Sequence, residues 1–304
     1  MDDGGLDVVT GAFSYTGAGI ARLLLRQGRR VRTLTSHPSR SGADAKVEVH
    51  PFRFDDPDAL SRSLAGADCL YNTYWVRFAR GDTTFETAIE RSGVLFRAAR
   101  RAGVRRVVHV SVTHPDVNSS FPYFRGKAVV EEMLADICSS WAVVRPTIIF
   151  GPGDILMNNV AWLLRRLPVF AIAGDGTYRV RPVHVDDVAA LCARLGRVAE
   201  LHTVDAVGPD TFTFEDLVRK IRKAVGSRSP IVHVAPRTAR FAAGAIGLVV
   251  RDVLITDHEL GGLMSEKAFS DAPQTGTLRF TDWVEESGSD LGRRYASEIS
   301  RHFT

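Results

Sequence analysis

Leu6-Asp7-Val8-Val9-Thr10-Gly11-Ala12-Phe13-Ser14-Tyr15-Thr16-Gly17-Ala18-Gly19-Ile20 joins a β-branched run to a tight turn and the start of a helix. Backbone N–H groups at such a helix start point outward and favour an anion. A dinucleotide-binding turn wants glycine at the first, third and sixth positions, or at a slightly wider spacing. Here the spacing is Gly11, Ser14, Gly17, and the middle position is serine. Gly11 permits the turn and Gly17 permits close helix-on-sheet packing. Ser14 puts a side chain where the backbone approaches a pyrophosphate, with a hydroxyl available to donate to it. The cradle is therefore expected over Gly11, Phe13, Ser14, Tyr15, Thr16 and Gly17. A fold relic that binds no cofactor is the alternative.

Working outward, short β-branched runs alternate with helical patterns. Strands are expected at 6–10, 31–35, 46–50, 69–73, 105–111 and 141–145, and helices at 17–27, 57–64, 83–101 and 123–139. That rhythm implies a parallel sheet covered on both faces, and right-handed crossovers make it a doubly wound α/β fold. Binding residues should lie beyond the carboxyl ends of the strands. Gly11, Asp55, Asn72 and Ser111 all do. After residue 150 the rhythm changes, with helices at 154–167 and 186–195, strands at 180–183, 201–206 and 231–234, and a helix start at Thr213. A single domain over 1–304 is expected, with a smaller substrate lobe drawn mainly from 151–180 and 208–304.

The bulk properties are those of a globular chain: 304 residues, 45% apolar and 24% charged. A net charge of +4, from 39 basic against 35 acidic residues, comes from scattered or paired arginines and gives no reason to expect nucleic acid. Cys69, Cys138 and Cys192 form no Cys-x-x-Cys pair and read as buried thiols in a reducing compartment. The acidic N-terminus lacks the features of a signal peptide, so a cytoplasmic protein is expected. The apolar stretch 241–255 is broken by Gly244, Gly247, Arg251 and Asp252. It falls short of the ~20 residues a transmembrane helix needs. Arg237, Arg240 and Arg251 leave peripheral membrane contact open. His109, His114 and His184 are not clustered at ligand spacing, so no metal is expected.

Cofactor type turns on the end of the second strand, where NAD sites usually carry an acid. Thr35-Ser36-His37-Pro38-Ser39-Arg40 has none. Ser36, His37 and Arg40 suit a 2′-phosphate, which favours NADP(H) over NAD(H). Asp55 either reaches the adenine amino group or caps the helix before Pro57. Tyr123-Phe124-Arg125-Gly126-Lys127 puts a phenol and an ammonium four residues apart on one helix face. The ammonium favours phenolate, and a phenol so tuned passes a proton to or from a substrate oxygen. Ser111, twelve residues earlier, is placed to orient that oxygen. The plainer alternative packs Tyr123 against the loop and leaves Lys127 solvated.

These residues together resemble the extended and atypical short-chain dehydrogenase/reductase families, NAD(P)-binding Rossmann-fold proteins that include sugar-nucleotide epimerases, isoflavone-type reductases and NmrA-like members. Val9-Thr10-Gly11 with Gly17 is similar to their nucleotide turn. Ser111, Tyr123 and Lys127 fall where the catalytic serine, tyrosine and lysine occur, and the lysine also holds the ribose. Arg145-Pro146-Thr-Ile-Ile-Phe-Gly151 resembles the segment that closes near the nicotinamide, which adds Pro146 to the cofactor residues with Asn72 and Lys127. Val183-His-Val-Asp186-Asp187 resembles a late structural motif. The resemblance implies an NAD(P)-dependent oxidoreductase acting on a small carbonyl or alcohol. The alternative is a nonenzymatic NAD(P)-binding regulatory or assembly protein. Tyr74, Trp75, Arg77 and His114 are the candidate substrate residues. A homodimer is compatible with the fold by analogy.

Overall fold

In the computed structural model, which describes residues 4–36 and 46–302, strands and helices first alternate. They are β1 (Leu6–Thr10), α1 (Tyr15–Arg26), β2 (Arg30–Thr35), β3 (Val47–Pro51), α2 (Pro57–Leu64), β4 (Ala67–Asn72), α3 (Phe85–Arg101), β5 (Arg106–Val110), α4 (Pro122–Ile137) and β6 (Trp141–Pro146). Next come β7 (Ile149–Phe150), α5 (Ile155–Arg166), β8 (Phe170–Ala173), β9 (Arg179–Val180), β10 (Val183–His184), α6 (Val185–Leu195) and β11 (His202–Ala206). The chain ends with β12 (Phe212–Thr213), α7 (Phe214–Ala224), β13 (Ile231–Val234), α8 (Pro236–Val250), α9 (Asp257–Met264), α10 (Phe280–Ser287) and α11 (Glu298–His302). Two compact units result. The first runs to Pro146 and resumes over Val185–Ala206, and the second takes Thr147–His184 and the chain from Val207 onward.

The first unit is a seven-stranded sheet in the order β11-β6-β5-β4-β1-β2-β3. Every pairing in it is parallel. This is a doubly wound Rossmann sheet, and the strand order reverses between β1 and β4, where such sheets bind ligands. One face is filled by Leu60 and Leu64 of α2, Leu95 and Phe96 of α3, and Val130 and Leu134 of α4, packed on Val8, Leu34, Leu70 and Val107. On α1, a Cβ at Gly19 would meet Val185 at 3.2 Å, so the glycine lets α1 and α6 pack closely.

Charged groups anchor the far end of β1. Asp7 is fully buried and accepts from Arg29 Nε at 2.9 Å, and Arg197 engages the same carboxylate. Arg29 also pairs with Asp68. Arg106 donates to the carbonyls of Leu195 (2.5 Å) and Glu200 (2.8 Å), which fixes the chain between α6 and β11.

The second unit has its own core, built from Phe150, Phe170, Ile172, Tyr178, Leu217, Ile221 and Phe280. Asp154 caps α5 by accepting from the N–H groups of Leu156 and Met157, and Thr213 caps α7 through Asp216 N. The parallel pair β8–β13 was not foreseen on the β8 side. Phe-Ala-Ile-Ala is too short to show a strand period, and its partner lies some sixty residues on.

Breaking a buried ion pair on one side leaves a charge uncompensated, which typically costs about 3–5 kcal/mol. Arg29 keeps Asp68 when Asp7 is lost, so Asp7→Ala should destabilise by about 3 kcal/mol in urea denaturation. A loss under about 0.5 kcal/mol would contradict the role given to this cluster.

Candidate active site

Gly11 adopts φ +64° at the end of β1. Its N–H donates to Leu34 O at 2.9 Å, and its carbonyl accepts from Ser14 N at 2.8 Å. A Cβ at Gly17 would lie 2.2 Å from that carbonyl, so no other residue fits there. Ser14 Oγ donates to Gly11 O at 2.6 Å. Its single proton is thus engaged by the turn's own backbone. Ser14 is the N-cap residue of α1 yet makes no side-chain cap bond, and the first turn carries no acid. The helix start and its dipole therefore suit an anion. Phe13, Tyr15 and Thr16 are half-buried around it.

The chain leaving β4 is tied to this turn. Thr10 Oγ accepts from Thr73 N (2.7 Å) and Tyr74 N (3.0 Å), while Thr73 Oγ donates back to Thr10 O at 2.6 Å. Asn72 is fully buried. Its Oδ1 accepts from Tyr74 N at 3.0 Å, and its Nδ2 meets His109 Nδ1 at 3.1 Å. Asn72 thus braces β4 against β5 from within the sheet. Because Nδ1 accepts, the network assigns the ring proton of neutral His109 to Nε2. Burial and the Lys127 charge hold His109 well below the usual imidazole range, so it stays neutral.

Lys127 is buried, not solvated. Its Nζ donates to Val110 O at 2.9 Å and sits 4.7 Å from the Trp75 ring centroid. Burial pulls its pKa from 10.5 to about 7, against the opposing charge of Glu131. Trp75 reaches this position because residue 126 is glycine, where a Cβ would come within 2.9 Å of the indole. Tyr123, four residues before Lys127, packs edge-on to Trp75 (6.1 Å) and Phe85 (6.2 Å). Ser111 follows Val110. Among the described residues, its buried hydroxyl has no partner, and neither do the Trp75 indole nitrogen and His109 Nε2.

The other predicted residues divide. Ser36 is exposed at the end of β2, and His37 and Arg40 lie outside the described residues. Asp55 is exposed, and the cap of α2 is Asp56, which accepts from Ala59 N at 2.9 Å. Tyr74 packs on Phe52 and Phe54, at 5.3 and 5.2 Å. Arg77 is half-buried, 5.9 Å from the Phe78 ring. His114 is exposed with φ +54°. Pro146 O accepts from Thr113 N at 3.2 Å. Sequence reading missed the Asn72–His109 brace and the Trp75–Gly126 contact. A glycine inside an otherwise good helix was the available signal for the second.

Comparison with known proteins fits this geometry. The model of the NAD dependent epimerase/dehydratase family matches residues 8–203. The chain is 28% identical to the ceramide reductase of Caulobacter vibrioides over 81% of this chain and 78% of that one. It is 25% identical to a mitochondrial protein of Arabidopsis thaliana, NADH dehydrogenase (ubiquinone) 1 alpha subcomplex subunit 9, over 69% of this chain and only 55% of that one. Two solved structures share the fold. The Citrobacter sp. triphenylmethane reductase complexed with NADP(H) has TM-score 0.75 at 18% identity, covering 93% of this chain and 99% of that one. The NADPH-dependent quinone oxidoreductase QOR2 of Escherichia coli has TM-score 0.75 at 19% identity, covering 92% and 99%.

A lysine whose folded pKa is depressed binds fewer protons folded than unfolded between the two values. Stability therefore rises with pH across that window, from about 7 to 10.5. Lys127→Met removes this dependence. Its melting temperature should exceed the wild type most near pH 6, with the gap narrowing towards pH 10. A gap that is equal at both ends would show that Lys127 keeps an ordinary pKa.

Proposed function

The chain belongs to the NAD dependent epimerase/dehydratase family, a Rossmann-fold family of NAD(P)-dependent enzymes, and we propose that it is an oxidoreductase acting on a small carbonyl or alcohol. The observation that carries this reading is the buried Lys127 ammonium, held between Val110 O and the face of Trp75 and four residues from Tyr123, with Ser111, whose hydroxyl has no partner among the described residues, following Val110. The Gly11–Gly17 turn and the start of α1 suit a dinucleotide pyrophosphate, since the turn is closed by its own hydrogen bonds and no acid opposes the anion. When bound, the dinucleotide supplies or takes a hydride at C4 of its nicotinamide.

The protein's own groups then handle the proton. In reduction, Tyr123 gives its hydroxyl proton to the carbonyl oxygen, and in oxidation it takes that proton back. The Lys127 charge favours the phenolate this leaves. Ser111 donates to the same oxygen, which gives its buried hydroxyl the partner it lacks among the described residues. Trp75 walls the substrate while holding Lys127. NADP(H) is the preferred cofactor because no acid follows Thr35, and the second compact unit serves as the substrate lobe.

Tyr123→Phe should lower turnover about 10²–10⁴-fold, the usual worth of a positioned acid or base. NADPH affinity should change little. Equal loss of turnover and binding in kinetics and calorimetry would make Tyr123 structural. Binding without turnover across a panel of carbonyl compounds would favour a regulatory protein. Calorimetry should also show NADPH binding more tightly than NADH, with Arg40→Ala erasing the difference. A preference for NADH would overturn the phosphate assignment.

A further inference from the structure

Helix α8 of the second unit, Pro236–Val250, exposes large apolar side chains where a water-facing helix would carry charge. Phe241, Leu248 and Val249 are 79%, 83% and 83% exposed. Phe241, Ala245 and Leu248, at i, i+4 and i+7, share one face, and Val249 extends it. The helix has no acidic residue, but Arg237 and Arg240 stand at its start and Arg251 at its C-cap. Arg237 and Arg251 are exposed, and Arg240 pairs with Asp257 at 3.1 Å. Beside Leu248 opens a cleft of about 480 Å³, lined by Ala243, Gly247, Leu254 and Ile255 and rimmed by Arg240 and Arg251.

The face is held rigid. Gly247 packs so close that a Cβ would lie 2.7 Å from Asp252 O. The buried Asp252 carboxylate accepts from Tyr295 Oη (2.8 Å) and from the N–H groups of Glu298 (2.8 Å) and Ile299 (3.1 Å). No helix among the described residues is long and apolar enough to cross a membrane.

We propose that α8 and its cleft form a docking surface for an anionic lipid bilayer, with Phe241 and Leu248 entering the acyl boundary and the arginines meeting the headgroups. An apolar face bordered by cations is the pattern of a helix that lies in the interface plane. A second copy of the chain is a poorer occupant. A helix of 15 residues is about 22 Å long and offers less than the roughly 800 Å² per partner that a stable interface needs. Self-pairing would also set arginine against arginine.

The full chain should be floated with vesicles of phosphatidylcholine alone and with vesicles in which about a third is phosphatidylglycerol. Binding should require phosphatidylglycerol and weaken with salt, because each basic residue near such a surface contributes about five-fold. Phe241→Ser with Leu248→Ser should reduce binding at least ten-fold, and Arg237→Gln with Arg251→Gln at least five-fold, both at unchanged melting temperature. Equal binding to neutral vesicles, no binding to either, or variants that bind like the wild type would overturn the proposal. So would a wild-type dimer that the Phe241→Ser, Leu248→Ser variant converts to monomer, since the face would then pair copies of the chain.

Discussion

The site depends on one constraint, an ammonium kept out of water. Lys127 is buried on α4 with Val110 O as its acceptor and the Trp75 ring against it. Burying a charge with so few partners is unfavourable, and its pKa falls to about 7 as a result. The surrounding residues follow from holding that group. Gly126 makes room for the indole. His109 stays neutral beside it, so no second cation competes. Glu131, which also engages Arg145, supplies the opposing charge.

The glycine-rich turn after β1 follows a similar economy. Gly17 is fixed by the Gly11 carbonyl, and Ser14 closes the turn from inside. A serine in place of the middle glycine is therefore compatible with a cofactor turn here, because its hydroxyl folds back onto the backbone. The Thr10–Thr73 bonds then couple this turn to the loop that carries Trp75. The two halves of the proposed chemistry, anion binding and proton handling, are joined through a few hydrogen bonds at the point where the strand order reverses.

Much of the first unit could be read from the sequence. The structure places β1 over Leu6–Thr10, as the sequence reading expects, because the β-branched Val8-Val9-Thr10 ends at a glycine. Tyr123 and Lys127 were legible as a pair because helical spacing is local. What escaped was nonlocal. Trp75 meets Gly126 and Asn72 meets His109 across long stretches of chain, so no window shows either contact. Of the two readings of Asp55, the helix cap falls to Asp56 instead, because two adjacent acids before a proline look alike until the backbone turns. Burial of Lys127 also runs against composition, since lysine is the residue least expected inside.

The most direct test is an NMR titration of the side-chain carbon beside the Lys127 ammonium in cofactor-free protein labelled at lysine, with the signal assigned by its loss in Lys127→Met. A midpoint near 7 is predicted, well below the ordinary 10.5. A midpoint near the ordinary 10.5 would mean that the ammonium is hydrated, and would contradict a Lys127 buried against Val110 O and the Trp75 ring.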